Sequence, residues 1–227
     1  MIITVLSIFA LSLFAPLLYR YLNRLTGWVL AIFTFGLTLY FVSYIGPVTS
    51  NEAINVSYRW VPYLDVDLSF LLDGLSLLFS LMITGIGALI LAYSSSYMPQ
   101  VRETPRFYVY MLLFMGSMLG LVLSENLVTM FVFWELTSIS SYMLIGFHHE
   151  SEESRKSALQ ALLITAGGGL ALLAGIVVMG QVAGSYGFNE LLGQAETIKL
   201  HPLYFTILIL VLLGAFTKSA QFPFHFW

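Results

Sequence analysis

The chain has 227 residues, 59% hydrophobic and 9% charged, whereas a soluble domain carries roughly a quarter charged residues because its surface must face water. Lipid is therefore the main solvent, and the formal net charge of −3 is spread over scattered groups with no basic run, which sets aside nucleic acid as a partner and any anionic-lipid patch. There is no cysteine, so no disulfide framework, Cys-ligated metal or iron–sulfur site can be built from it.

A helix needs about 20 largely apolar residues to cross the hydrocarbon. That ruler predicts an all-α membrane protein of about seven transmembrane helices, over residues 1–18, 27–45, 74–93, 107–123, 126–147, 158–182 and 203–222. The first span is apolar from its first residue and lacks a basic n-region or a small-residue cleavage site, so it is expected to be retained rather than removed as a signal peptide. Breaker chemistry separates the spans: residues 23–27, Gly46-Pro47, residues 99–105, the acidic stretch 150–153, and residues 184–202. With the amino terminus outside, the inner loops hold Arg20, Arg24, Arg102, Arg106, Arg155 and Lys156, and the outer loops only Arg59 and Lys199. The Lys/Arg bias favours that orientation. The long outer loop, residues 47–72, contains a partly alternating stretch at 55–69 interrupted at Pro62, which fits either a small external hairpin or an irregular loop. The sequence stops at Trp227 inside an aromatic run with no polar tail, which suggests a fragment or a truncated gene product.

Two charged residues fall deep within apolar spans, Glu135 in the fifth and Lys218 in the seventh. Each costs roughly 2.5–3.5 kcal/mol on insertion scales, so a functional role is the default expectation. Asp73 and Glu125 sit at span ends, where headgroups or water are within reach. Glu135 has Thr137, Ser138 and Tyr142 close in sequence, and Ser138 and Tyr142, at i+3 and i+7, share its helix face. A carboxyl balanced between desolvation and a nearby ammonium can load and release a proton. After Lys218 come Ser219, Gln221 and Pro223; the proline lacks a backbone donor, so the seventh helix is expected to break near it. Broken helices in transporters line polar cavities near the midplane. His225, just past the break, is a candidate relay group.

Structural alternatives stand beside these readings. Glu135 and Lys218 could form a static ion pair that fastens two helices, although desolvation makes such a pair a poor stabiliser. His225 could be a packing residue. His148-His149 beside Glu150, Glu152 and Glu153 fit an exposed polar loop better than a metal site. The run Gly167 to Gly169 most simply allows close helix approach, and it lacks the lysine and hydroxyl residue of a phosphate-binding loop. No metal or cofactor site is expected, and the spans exclude a soluble enzyme.

The stretches LLDGLSLLFSLMITGIGALILAYSSSYM (71–98), GLVLSENLVTMFVFWELTSISSYMLIGF (120–147), ESRKSALQALLITAGGGLALLAG (153–175) and GAFTKSAQFPFHFW (214–227) resemble one family. It comprises the antiporter-like proton-translocating subunits shared by Mrp-type cation/proton antiporters and the membrane arm of respiratory NADH:quinone oxidoreductase. The spaced pair FWELTS and KSAQFPFH carries most of the specificity. The resemblance implies that Glu135 and Lys218 are the protonatable pair of a proton path and that His225 continues it. It also implies a partial antiporter-like module, with residues 1–106 holding three amino-terminal spans and 107–227 the start of the first proton-translocating repeat. The family module is roughly twice as long, with a second, inverted repeat. Relatives in the redox complex often carry Arg-x-Gly-Asp where this chain has Ala166 to Gly169, which favours the Mrp side. The function implied by the resemblance is exchange of Na+ for H+, carried out together with other antiporter subunits in a hetero-oligomeric complex of the bacterial cytoplasmic membrane. The alternatives are a proton-pumping arm of a redox complex and a non-transporting scaffold.

Overall fold

A computed structural model of the protein describes residues 1–50, 53–61, 66–98 and 103–227. Pro62, Pro99 and Arg102, expected as a strand interruption, a helix break and an inner-loop charge, lie outside the described residues. The chain divides into two compact units, Met1–Val56 with Phe70–Leu123 and Ser57–Ser69 with Ser124–Trp227.

The first unit contains helices α1 (Ile2–Leu22), α2 (Thr26–Val42), α3 (Ile45–Thr49), α4 (Gly74–Tyr97) and α5 (Thr104–Leu123). In lipid every backbone polar group must be satisfied within the segment, which is why these apolar stretches coil into helices. The helical run Ile2–Thr49 is 48 residues long; straight, it would extend about 72 Å, more than twice the ~30 Å of hydrocarbon. Asn23, with φ 48° and ψ −119°, interrupts it between α1 and α2. Within this unit α1 packs on α5, and α2 and α5 each pack on α4. Small and hydroxyl side chains make these contacts close: a Cβ on Gly27 would lie 2.7 Å from the Leu91 carbonyl, and the Thr38 hydroxyl donates to Thr84 Oγ1 at 3.1 Å. At the start of α4, Asp73 and Ser76 form a reciprocal capping box, so this carboxylate serves the helix end.

The stretch between α3 and α4 forms strands β1 (Ile54–Val61) and β2 (Val66–Leu72), which pair with each other. A connection of only a few residues admits antiparallel pairing alone. The described part of this loop is paired strand, so among the described residues the architecture is helical with one two-stranded sheet rather than strictly all-α.

The second unit contains α6 (Leu127–Ile145), α7 (Glu152–Ala183), α8 (Phe188–Gly193), α9 (Ala195–Leu200) and α10 (Tyr204–Lys218). Asn126 caps α6, its side-chain oxygen accepting from the backbone N–H of Val128 and Thr129. Helix α7 begins at Glu152, not at 158. The acidic stretch expected to separate spans instead supplies a first turn: Ser151 caps it, Glu152 and Glu153 sit at the positive end of the helix, and Glu152 pairs with Lys156 at 2.8 Å. The expected break at 184–202 holds the short helices α8 and α9. Helix α7 packs against both α6 and α10, over a core of Leu127, Leu172, Ile176 and Leu191.

Among the described residues, five helical runs are long and apolar enough to cross a membrane: Ile2–Thr49, Gly74–Tyr97, Thr104–Leu123, Leu127–Ile145 and Glu152–Ala183. Helix α10 is apolar but shorter.

Candidate functional site

The last residue of α10 is Lys218, although an apolar span was expected to run on to Phe222. The chain leaves the helix through a Schellman motif: Ala220 adopts φ 52°, Ser219 N–H donates to the Ala215 carbonyl at 3.0 Å, and Gln221 N–H to the Phe216 carbonyl at 2.9 Å. Residues 219–227 form no further helix, and Pro223 among them cannot donate a backbone hydrogen bond. Lys218 is thereby a cation in the last turn, at the negative end of the helix.

Its side chain crosses to α6. Lys218 Nζ donates to Thr137 Oγ1 at 2.8 Å and Ser138 Oγ at 2.7 Å, approaches the Trp134 carbonyl at 3.5 Å, and lies 5.4 Å from the Trp134 ring centroid. Three acceptors match the three protons of an ammonium, and the aromatic face adds a cation–π contact. Residues 134, 137 and 138 flank Glu135 on the same helix.

Glu135 is half-buried and turned toward α7. Its Oε1 is buried with no hydrogen-bond partner, and it lies against the backbone of Gly169. Among the described residues no ion pair joins Glu135 to Lys218, whereas Lys156 pairs with Glu152 at 2.8 Å and Lys199 with Glu196 at 3.7 Å. The static helix-fastening pair is therefore not what holds these groups. The ammonium is held by hydroxyls, while the carboxyl is confined by shape.

A cavity of ≈ 30 Å³ adjoins the ammonium, lined by Ser138, Ser141, Tyr142, Thr165, Lys218 and Trp227 among others. That volume has room for a water molecule beside the polar groups, although Ile145, Ala161 and Leu162 also line it. Tyr142, expected on the helix face of Glu135, lines this cavity with Lys218. Ser219 and Gln221 do not reach the ammonium: the Ser219 hydroxyl donates to the Ala215 carbonyl at 2.7 Å, and the backbone of Gln221 closes the helix end. His225 is exposed and stacks on Phe222, with ring centroids 5.6 Å apart. Among the described residues no hydrogen bond or ion pair links it to Lys218 or Glu135. The tail instead anchors through Trp227 Nε1 to the Thr217 carbonyl at 2.8 Å and Gln160 Nε2 to the Phe226 carbonyl at 2.8 Å.

Glu125, expected at a headgroup or in water, is only 8% exposed. Ser69 Oγ donates to its Oε2 at 2.9 Å, the N–H of Asn189 to its Oε1 at 3.3 Å, and the N–H of Phe188 to its backbone carbonyl at 2.8 Å. It thus ties strand β2 and the start of α8 to the entrance of α6. Position next to a helix cap gave no hint of this, because its partners lie 56 and 64 residues away. Among the described residues there is no group of three or more His, Asp or Glu that could hold a metal; His148 lies edge-on to Phe147.

Residues 124–227 match the family described as NADH:quinone oxidoreductase/Mrp antiporter, TM, and residues 60–108 match NADH-Ubiquinone oxidoreductase (complex I), chain 5 N-terminus. A Na(+)/H(+) antiporter subunit of Alkalihalophilus pseudofirmus is 42% identical over 98% of this chain, which spans 28% of that protein. A probable K(+)/H(+) antiporter subunit of Rhizobium meliloti is 49% identical over 79% of the chain, matching 18% of its own length. In the solved structure of the Mrp complex from Dietzia sp. DQ12-45-1b, one chain superposes with a TM-score of 0.88 at 37% identity, over 97% of this chain and 24% of that one.

Proposed function

The chain belongs to the family of antiporter-like membrane subunits shared by Mrp antiporters and NADH:quinone oxidoreductases, and from that premise we propose that it forms part of an ion-translocating subunit of a multi-subunit antiporter. The complex exchanges sodium for protons across a bacterial cytoplasmic membrane, with other antiporter subunits as partners. Glu135 takes up and releases the proton. Lys218, by keeping or losing its own, alters the proton affinity of Glu135 through Coulomb coupling in a medium of low dielectric.

One observation carries this reading: the Lys218 ammonium rests on Thr137 and Ser138, the residues that flank Glu135, without closing an ion pair onto it. A locked pair would hold its proton distribution fixed, whereas a carboxyl with an unpartnered buried oxygen gains a bond when it meets water. The ≈ 30 Å³ cavity beside the ammonium is also lined by Tyr142 and Ser141, and His225 would extend the relay beyond it.

In the bilayer, α1 and α2 make separate crossings on either side of Asn23, and α10 with the residues leading to Pro223 makes a broken seventh. The amino terminus and the β1–β2 hairpin face outward. Residues 1–106 form an amino-terminal module and 107–227 the start of the first translocating repeat.

The test is transport in everted vesicles containing the complete complex. Glu135→Ala is expected to abolish sodium-dependent collapse of a pH gradient; full activity in an assembled variant would remove the proposal. The family also includes redox-driven pumps. Small antiporter subunits co-purifying with the protein would support exchange, and flavin or iron–sulfur subunits would support a redox-driven pump instead.

A further inference from the structure

We propose that Gly169 is the positioning residue for Glu135, because the missing side chain at this point of α7 forms the slot that holds the carboxyl group. A Cβ built on Gly169 would fall 2.0 Å from Glu135 Oε1 and 3.1 Å from its Cδ. Such distances are far inside van der Waals contact, so a methyl group and the carboxyl cannot share the site. Nothing else fixes that oxygen, which is buried without a hydrogen-bond partner. Its place depends on shape alone.

The preceding glycine faces the residue next to the amine. A Cβ on Gly168 would fall 1.7 Å from Thr217 Oγ1, on the residue next to Lys218. Consecutive positions of α7 thus seat the acid itself and the neighbour of the amine. The requirement is local: a Cβ on Gly167 would meet nothing within 4 Å.

The transport consequences rest on the proton-path reading of Glu135, whereas the packing relationship does not, and the experiment separates them. In the complete membrane protein, Gly167→Ala, Gly169→Ala, Glu135→Ala and Glu135→Ala/Gly169→Ala are compared for thermal stability and for sodium-dependent transport across pH. Gly167→Ala is expected to transport like the wild type and to be at least as stable, since alanine favours a helix interior over glycine. Gly169→Ala is expected to lower transport about tenfold or more, the scale on which small misplacements of a reacting group act, and to move the pH of half-maximal transport, which a loss of packing alone would leave in place. Glu135→Ala/Gly169→Ala is expected to be as stable as Glu135→Ala, since the vacated slot accepts the methyl group. Equal destabilisation by Gly169→Ala in both backgrounds would overturn the inference even if the single variant fails to assemble. So would a wild-type pH profile in an assembled Gly169→Ala variant. Retained transport in Glu135→Ala would remove the proton-path reading while the stability comparison still decides the role of Gly169.

Discussion

Ser138 accepts a hydrogen bond from the Lys218 ammonium at 2.7 Å, across 80 residues of sequence. The Ser138 hydroxyl in turn donates to the Trp134 carbonyl at 3.3 Å, so it meets Lys218 as an acceptor. Thr137, at 2.8 Å, has the same property.

Replacing Ser138 by Ala and Thr137 by Val together removes both hydroxyl acceptors while keeping the helix volume nearly constant. Hydrogen bonds to charged groups are worth about 1.5–3 kcal/mol each, so the double variant is expected to favour the neutral amine strongly. Sodium-dependent transport should fall at the pH where the wild type is most active. Titrating activity against pH in everted vesicles checks this, and each single variant should show a smaller change.

Lys218→Arg keeps a positive charge but not a dischargeable one, because guanidinium stays protonated at any physiological pH. If Lys218 works by gaining and losing a proton, the arginine variant should assemble and yet transport as poorly as Lys218→Ala. Near-normal transport by Lys218→Arg would mean that charge alone suffices. Assembly failure of Lys218→Ala combined with intact transport in the residual complex would favour a scaffold role.

Glu125 is predicted to matter for stability first. Removing its side chain with Glu125→Ala strands the buried Ser69 hydroxyl, at about 1–3 kcal/mol for an unsatisfied group, and removes the bond from the Asn189 N–H. Ser69→Ala should cost less, since the carboxylate keeps its bond from Asn189. Thermal unfolding of the purified protein should rank Glu125→Ala below Ser69→Ala and both below the wild type.

Ala220 adopts φ 52°, a conformation that costs an L-residue with a Cβ about 1 kcal/mol or more. Ala220→Gly should relieve that strain and raise the unfolding temperature, with the loop-entropy cost of glycine offsetting part of the gain. Scanning calorimetry on the pair of proteins measures the balance.

The helices are legible in the sequence because lipid demands long apolar runs, and α4, α5 and α6 begin or end within a few residues of where composition puts them. The start of α7 is harder to read, because acidic residues look like a break, whereas Glu152 and Glu153 at a helix amino end are a stabilising first turn. The pairing of hydroxyls with Lys218 is half visible: Thr137 and Ser138 stand out beside Glu135, but which charge they serve depends on how α6 and α10 cross. The slot at Gly169 and the burial of Glu125 are hidden for the same reason, since both are contacts between residues far apart in the chain. A glycine run announces closeness without naming what comes close.

The early end of α10 has a mechanical consequence. Every carbonyl of its final turn before Lys218 already has a donor: Gly214 from the Thr217 hydroxyl, Ala215 from Ser219, Phe216 from Gln221 and Thr217 from Trp227. The lysine side chain is thus released from mending its own helix, and swinging it away from α6 would leave no orphaned backbone behind. Its travel is resisted only by the bonds at its far tip, which makes it a lever hinged on a finished post.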